Sequence, residues 1–433
     1  MSITFASQIT LLYNSTMQQL SQSKKFEYNL EALRGFVAFL VVLTHCSGFD
    51  KLLNGTQRTG IWTYSFPGHL AVLIFFILSG YVIGLSTKNS LTWHTAGEYL
   101  KKRLLRLYPI YALALIMALI ITYNTYSLTT IIANFTFTHM ALADAIYEVG
   151  VIWSLHYEML FYILFIPISI YNIKPSHAFF ISLTFGFFSQ LILSSQALAM
   201  YGFGFCFWLI GLWLSKTKNV LAANPSRYTL IGLFLLILSF SSLNIVYDII
   251  HNKLHLDKIP GVQSSYSAIN IMFSDFSYIP LGVLCITYFT NKKIKFNYLL
   301  LIFTLAVPIL NLLFLAYYSR AHYIDFDSKV IACLIYAAAI GFLILGSLKT
   351  KLDSNTLPKY LIKLGSISYS VYLTHFIFIV LLSRVSFYYG TWYTLIGRSV
   401  VVIIFTIVAS YILEKVWHPF VVRQVKKFNL FTS

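Results

Sequence analysis

The chain has 433 residues, 58% of them hydrophobic and 10% charged, where soluble domains carry roughly 25% charge. So little charge cannot cover the surface of a soluble domain of this length, so the apolar residues must face lipid or one another. The net charge of +17 would point to nucleic acid in a soluble protein, but in an apolar chain the retention of Lys and Arg on the cytoplasmic side of a membrane explains it with no such partner.

Residues 1–29 read as a cytoplasmic segment. Their apolar patch is short and interrupted by polar residues, and Lys24 and Lys25 follow it rather than precede it, which is not the order of a cleavable signal. Apolar runs long enough for transmembrane helices then fall near 30–48, 66–87, 106–123, 151–171, 178–196, 200–215, 228–247, 271–290, 297–317, 329–348, 366–382 and 393–413. The expected fold is therefore all-α, a polytopic transmembrane helical bundle of about 10–12 spans over 30–413, followed by a basic cytoplasmic tail at 414–433. With the N-terminus inside, 23 of the 31 Lys and Arg residues face the cytoplasm and 8 face out. That asymmetry places both termini in the cytoplasm.

Cys46, Cys206, Cys285 and Cys333 each lie in an apolar run without CxxC spacing. They read as small buried hydrophobes, and no disulfide framework or metal site is expected.

Ionisable groups are costly inside a bilayer, so each one needs a reason. The first span carries Glu31, Arg34, Gly35 and His45. Arg34 and His45 are eleven residues apart, three helical turns plus about 20°, so they share a face. They are separated by about 16 Å along the axis. A guanidinium near the surface and an imidazole at depth suit a long anionic substrate entering from the cytoplasm. The plainer alternative is a snorkelling arginine and a packed histidine.

In the second span, Ser79-Gly80 of Phe75-Phe76-Ile77-Leu78-Ser79-Gly80 would let helices approach closely. Packing is its first role and a site wall its second. Arg103 and Arg106, at i and i+3 before the third span, are helical neighbours whose forked donors suit phosphate. Basic clusters there also meet anionic lipid head groups. In the fourth span Ser154, Glu158 and Tyr162 recur every four residues as a polar stripe, with His156 turned away from it. In the eleventh, Gly365, Ser368, Tyr372 and His375 fall on one helical face.

Taken in order, these segments resemble the acyltransferase 3 family of membrane acyltransferases, which modify bacterial surface sugars. The resemblance rests on Glu31-x-x-Arg34-Gly35 with His45, Phe75 to Gly80, Arg103-x-x-Arg106, Trp153-Ser154-Leu155 with Glu158 and Phe161-Tyr162, and Ser368-Tyr369-Ser370-x-Tyr372-Leu373-x-His375. It implies an enzyme of the bacterial inner membrane that moves an acyl group, acetyl in the first instance, from acyl-CoA on the cytoplasmic side. The acceptor would be a hydroxyl of a surface carbohydrate such as lipopolysaccharide O-antigen or exopolysaccharide. The resemblance assigns the CoA phosphates to Arg103 and Arg106, support of the donor to Arg34 and the leading catalytic role to His45. Acyl-CoA is expected as a co-substrate, with no permanently bound cofactor. Departures at Glu31-Ala32, Leu73 and Met159-Leu160 suggest a subgroup with its own acceptor.

Acyl transfer to an alcohol needs a base or a nucleophile and a stabilised oxyanion, and an imidazole can take either of the first two roles. His45 is the expected group, with Glu158 or Ser and Tyr hydroxyls setting its tautomer and His375 as a second-site or orienting histidine. Ser154, Tyr162, Ser368 and Tyr372 are expected to line the substrate path. The rival reading is a proton-coupled transporter or flippase of a lipid-linked or small anionic substrate, since intramembrane His and Glu also serve proton relays.

Overall fold

The computed structural model describes residues 28–48, 52, 60–217, 225–257, 270–318, 327–348, 357–388 and 390–427. The expectations for residues 1–27, Lys24 and Lys25 among them, and for the last six residues of the tail lie outside them. No strand occurs among the described residues.

The helices are α1 (Tyr28–Gly48), α2 (Gly68–Ser86), α3 (Trp93–Ile121), the short α4 (Leu128–Phe135), α5 (Trp153–Ile170), α6 (Pro175–Leu191), α7 (Gln196–Lys216) and α8 (Arg227–Phe240). They continue with α9 (Ile279–Phe289), α10 (Asn297–Tyr318), α11 (Asp327–Leu348), α12 (Lys359–Gly365), α13 (Ser368–Ser383), α14 (Trp392–Ile412) and α15 (His418–Lys427). Among the described residues nine helices are long and apolar enough to cross a membrane, and the bent pair α12–α13 makes a tenth. The two other expected spans are also helical: α6, and α9 with the 3-10 turn Phe273–Tyr278 before it. Each is 17 residues long, about 25 Å of helix against a hydrocarbon core of about 30 Å.

One expectation is revised. The third span does not begin at residue 106: a capping box at Thr92 starts α3 at Trp93, so Arg103 and Arg106 lie well inside a helix. The basic stretch from 414 is helical and docked as far as Lys427. A π-helical turn, Leu413–Trp417, joins α14 to α15, and Trp417 and His418 bond to α3.

Glycines set the crossings that build the core. A Cβ on Gly80 would lie 1.9 Å from the Trp208 carbonyl oxygen, and one on Gly211 1.9 Å from that of Ile77, so α2 and α7 touch backbone to backbone. Likewise a Cβ on Gly365 would lie 1.8 Å from the Glu31 oxygen, and one on Gly35 2.4 Å from that of Leu361. This second crossing clamps α1 onto α12. The chain then bends by 78° before α13, so Gly365 does not share the face of Ser368, Tyr372 and His375. Its missing side chain serves the crossing instead.

Polar contacts sort the bundle into two ends. At one end Arg103 bonds to Ser86, the Lys292 ammonium to the carbonyls of Leu214 and Ser215, and Lys415 to Ser366. Burial lowers the Lys292 ammonium to about 8. At the other end Arg384 meets Glu148, His69 meets Asp275 and His251 meets Asp257. Each of these contacts joins residues that the charge distribution assigns to the same side of the membrane. The cysteines are all free, with Cys46, Cys206 and Cys285 buried.

Candidate functional site

A cavity of ≈ 840 Å³, its open mouth included, lies among α1, α2, α3, α5 and α13. Its lining includes Arg34, Arg103, Arg106, Ser154, Glu158, Tyr162, Ser368 and Tyr372. Eight of the ten side chains singled out from the sequence thus meet in one space, although they come from four helices spread over more than 300 residues.

Three guanidiniums gather in the wall. Arg34 is held by Glu31 one turn back, Nη1 to Oε1 at 2.8 Å. Arg103 donates from Nη2 to Ser86 Oγ at 2.8 Å and lies over the Tyr99 ring, 5.4 Å from its centroid. Its buried Nε has no partner among the described residues. Arg106 lies within reach of charge–charge attraction from Glu414. The forks of Arg34 and Arg103 are therefore oriented before any ligand arrives, and the three guanidiniums together can hold a phosphorylated group.

The polar stripe of α5 lines the cavity as its spacing predicts, and His156 turns away to Phe137 and Tyr201. Glu158 Oε1 accepts from Ser79 Oγ at 3.0 Å and from the Tyr162 hydroxyl, while Trp208 Nε1 donates to Ser79 Oγ at 3.3 Å. Oε2 of Glu158 is left without a partner among the described residues. Deeper in, Ser154 Oγ lies 2.7 Å from the Tyr372 hydroxyl, which donates to the Val151 carbonyl at 2.6 Å. Phe75 packs against Tyr372 with ring centroids 6.2 Å apart.

His45 and His375 do not line this cavity. They pair beyond it, with His375 Nε2 3.3 Å from His45 Nδ1, and Tyr372 stands between, its ring 6.1 Å from that of His375. The neighbouring backbone sets both tautomers. His45 Nδ1 lies 2.9 Å from the Val41 carbonyl and His375 Nδ1 3.0 Å from that of Val371, so each Nδ1 carries the proton. The Nε2 lone pair of His375 then faces the His45 Nδ1–H. His45 Nε2 keeps its own lone pair, with no partner among the described residues. His45 is partly exposed and His375 fully buried. An imidazole with an oriented proton on one nitrogen and a free lone pair on the other is the arrangement of a general base or nucleophile.

The expected tie between Glu158 and His45 is not made. Ser79 and Tyr162 occupy the carboxylate, and Val41 and His375 take the place it was assigned. Arg34 and His45 do turn toward the same helix, α13, as their spacing predicts: one shares the cavity wall with Ser368 and Tyr372, the other meets His375. Ser79 fills the second of the two roles expected of its segment, that of a site wall, and in addition bonds to Glu158, which no spacing in the sequence indicates. His139, outside the spans, is pushed down to about 4 by burial. It donates from Nε2 to the Ile152 carbonyl at 3.1 Å, a structural role. No cluster able to hold a metal ion occurs among the described residues.

A family profile described as an acyltransferase domain matches residues 27–257 and 250–415. The two stretches overlap and contain every residue of the cavity and the histidine pair. No curated protein and no solved structure matches the chain.

Proposed function

Since the chain belongs to the acyltransferase 3 family, we propose that this multi-pass membrane acyltransferase takes an acyl group, acetyl first among them, from acyl-CoA at its basic end and delivers it to a carbohydrate hydroxyl at the other. The observation that carries this reading is the cavity, with three arginines in its wall and Tyr372 between it and the His45–His375 pair. Phosphates of the donor fit the forks of Arg34, Arg103 and Arg106. The uncharged arm of CoA fits the space between Phe75, Phe76 and Leu155, and the open Oε2 of Glu158 is placed to accept an amide N–H from it. For the thioester to reach His45, the Tyr372 side chain must turn aside.

At the histidine pair, Nε2 of His45 takes the proton of the acceptor hydroxyl as that oxygen attacks the thioester carbonyl carbon. The C–S bond breaks, the ester forms, and the imidazolium returns its proton to the departing sulfur. While His45 is charged, its Nδ1–H is held by the Val41 carbonyl and the His375 lone pair. Ser154, which lines the cavity beside Tyr372, offers a hydroxyl to the developing oxyanion. The basic end is the cytoplasmic one on this reading, and the membrane is the bacterial inner membrane.

The test is transfer or hydrolysis of radiolabelled acetyl-CoA by purified protein in proteoliposomes, with a matched His45→Ala variant. Turnover in the wild type and its loss in a folded variant are expected. Full activity in the variant would remove His45 from the chemistry. A folded wild type that binds no acyl-CoA of any chain length would turn the reading toward an ion-coupled transporter.

A further inference from the structure

Pro109 interrupts α3 one turn beyond Arg106. A proline has no N–H, so the carbonyl four residues earlier, that of Leu105, loses its helical partner. In a membrane protein such a carbonyl must be satisfied by other protein groups. His418 does so, donating from Nε2 to Leu105 O at 3.1 Å. The residue before it, Trp417, donates from its indole Nε1 to the Pro109 carbonyl at 2.9 Å. The two arginines of the cavity wall and the break that follows them are thus fastened by two consecutive side chains from the far end of the sequence.

The π-helical turn Leu413–Trp417 makes this contact possible. One extra residue in a turn rotates everything after it by about 100° relative to a regular α-helix. The same turn brings Glu414 close to Arg106 and reaches the bend between α12 and α13 through Lys415, whose Nζ lies 3.3 Å from Ser366 O. Tyr369, which lines the cavity, closes the ring by donating to Leu107 O at 3.0 Å. A helix that only packed against α3 would need apolar side chains alone. This one directs polar groups at both walls of the cavity, within a few residues of Arg103, Arg106 and Ser368.

We propose that the π-helical turn Leu413–Trp417 and His418 form a positioning clamp that holds Arg103 and Arg106 in register for the phosphates of the acyl donor. Trp417 and His418 are its positioning residues; neither lines the cavity. The proposal rests on the reading of the arginines as the donor's phosphate site.

The test compares two donors in the full-length protein: acetyl-CoA, and a short acetyl thioester of cysteamine that lacks the nucleotide and its phosphates. Trp417→Phe keeps the ring and removes the N–H. His418→Leu removes the donor, and His418→Gln can supply an amide N–H in its place. Losing one such hydrogen bond should raise KM for acetyl-CoA roughly threefold to tenfold in Trp417→Phe and His418→Leu. Turnover at saturation and the reaction with the short donor should stay unchanged, and His418→Gln should recover most of the loss. An equal fall with both donors, or an unchanged KM for acetyl-CoA, would overturn the clamp while leaving the phosphate site standing. If Arg106→Gln left KM for acetyl-CoA unchanged while the protein still turned over, the phosphate reading itself would fail, and the clamp with it.

Discussion

On the proposed mechanism the two histidines divide the chemistry unequally. His45 has a free Nε2 and partial exposure, while His375 is fully buried with both nitrogens engaged. In that proposal His375 acts through His45, presenting a lone pair to its Nδ1–H as the carboxylate of a hydrolytic triad does. His375→Ala should lower turnover by about 10²-fold with little change in KM for the donor, because no arginine of the cavity wall is touched. Steady-state kinetics at varied acetyl-CoA check this, and a rise in KM at constant turnover would move His375 from the chemistry to donor binding. Both residues were visible in the sequence as intramembrane imidazoles. Their pairing was not, because 330 positions separate them and no spacing rule reaches across two helices. Glu158 shows the same limit: its stripe on α5, with Tyr162 one turn on, was legible, but that Ser79 would also bond to it depends on where α2 crosses.

At the scale of elements, hydropathy found the helices because lipid imposes the length of every span. The bend at residues 366–367 escaped it, since Ser366-Ile367-Ser368 carries neither Pro nor Gly to break a helix. What fixes the bend is a neighbour, the Glu31 carbonyl lodged where a Cβ of Gly365 would be. The π-helical turn at 413–417 escaped for a related reason: one extra residue in five leaves hydropathy unchanged. The crossing yields a direct expectation. Gly365→Ala puts a methyl 1.8 Å from a backbone oxygen, and neither backbone can yield cheaply, so it should destabilise the protein by about 1–3 kcal/mol or more and displace Arg34 from the cavity wall. Gly341→Ala, inside α11 with nothing within 4 Å of its Cβ, should be neutral or stabilise by up to about 1 kcal/mol through helix propensity. Thermal unfolding in detergent separates the two, and equal melting temperatures would show that the α1–α12 crossing can relax.

The whole molecule is polarised. The arginines of the cavity, Lys292 and Lys415 gather at one end, while the His–Asp pairs and the Glu148–Arg384 pair occupy the other. That polarity suits the proposed reaction, in which a charged donor comes from one compartment and the acceptor from the other. Only the uncharged acyl group and its arm need enter the low-dielectric interior, where a phosphate would be prohibitively costly. The orientation proposed from the charge asymmetry, with the arginines on the cytoplasmic side, is a property of the whole chain, so it can be tested without any activity. In a background with all four cysteines replaced, a single cysteine at Lys102, at the basic end, or at Leu142, at the other, is exposed in either case. A membrane-impermeant maleimide should label Leu142→Cys in intact cells and Lys102→Cys only after permeabilisation. The reverse pattern would put the arginine-lined cavity on the side where acyl-CoA is absent, and the donor would then have to be sought among extracytoplasmic acyl carriers.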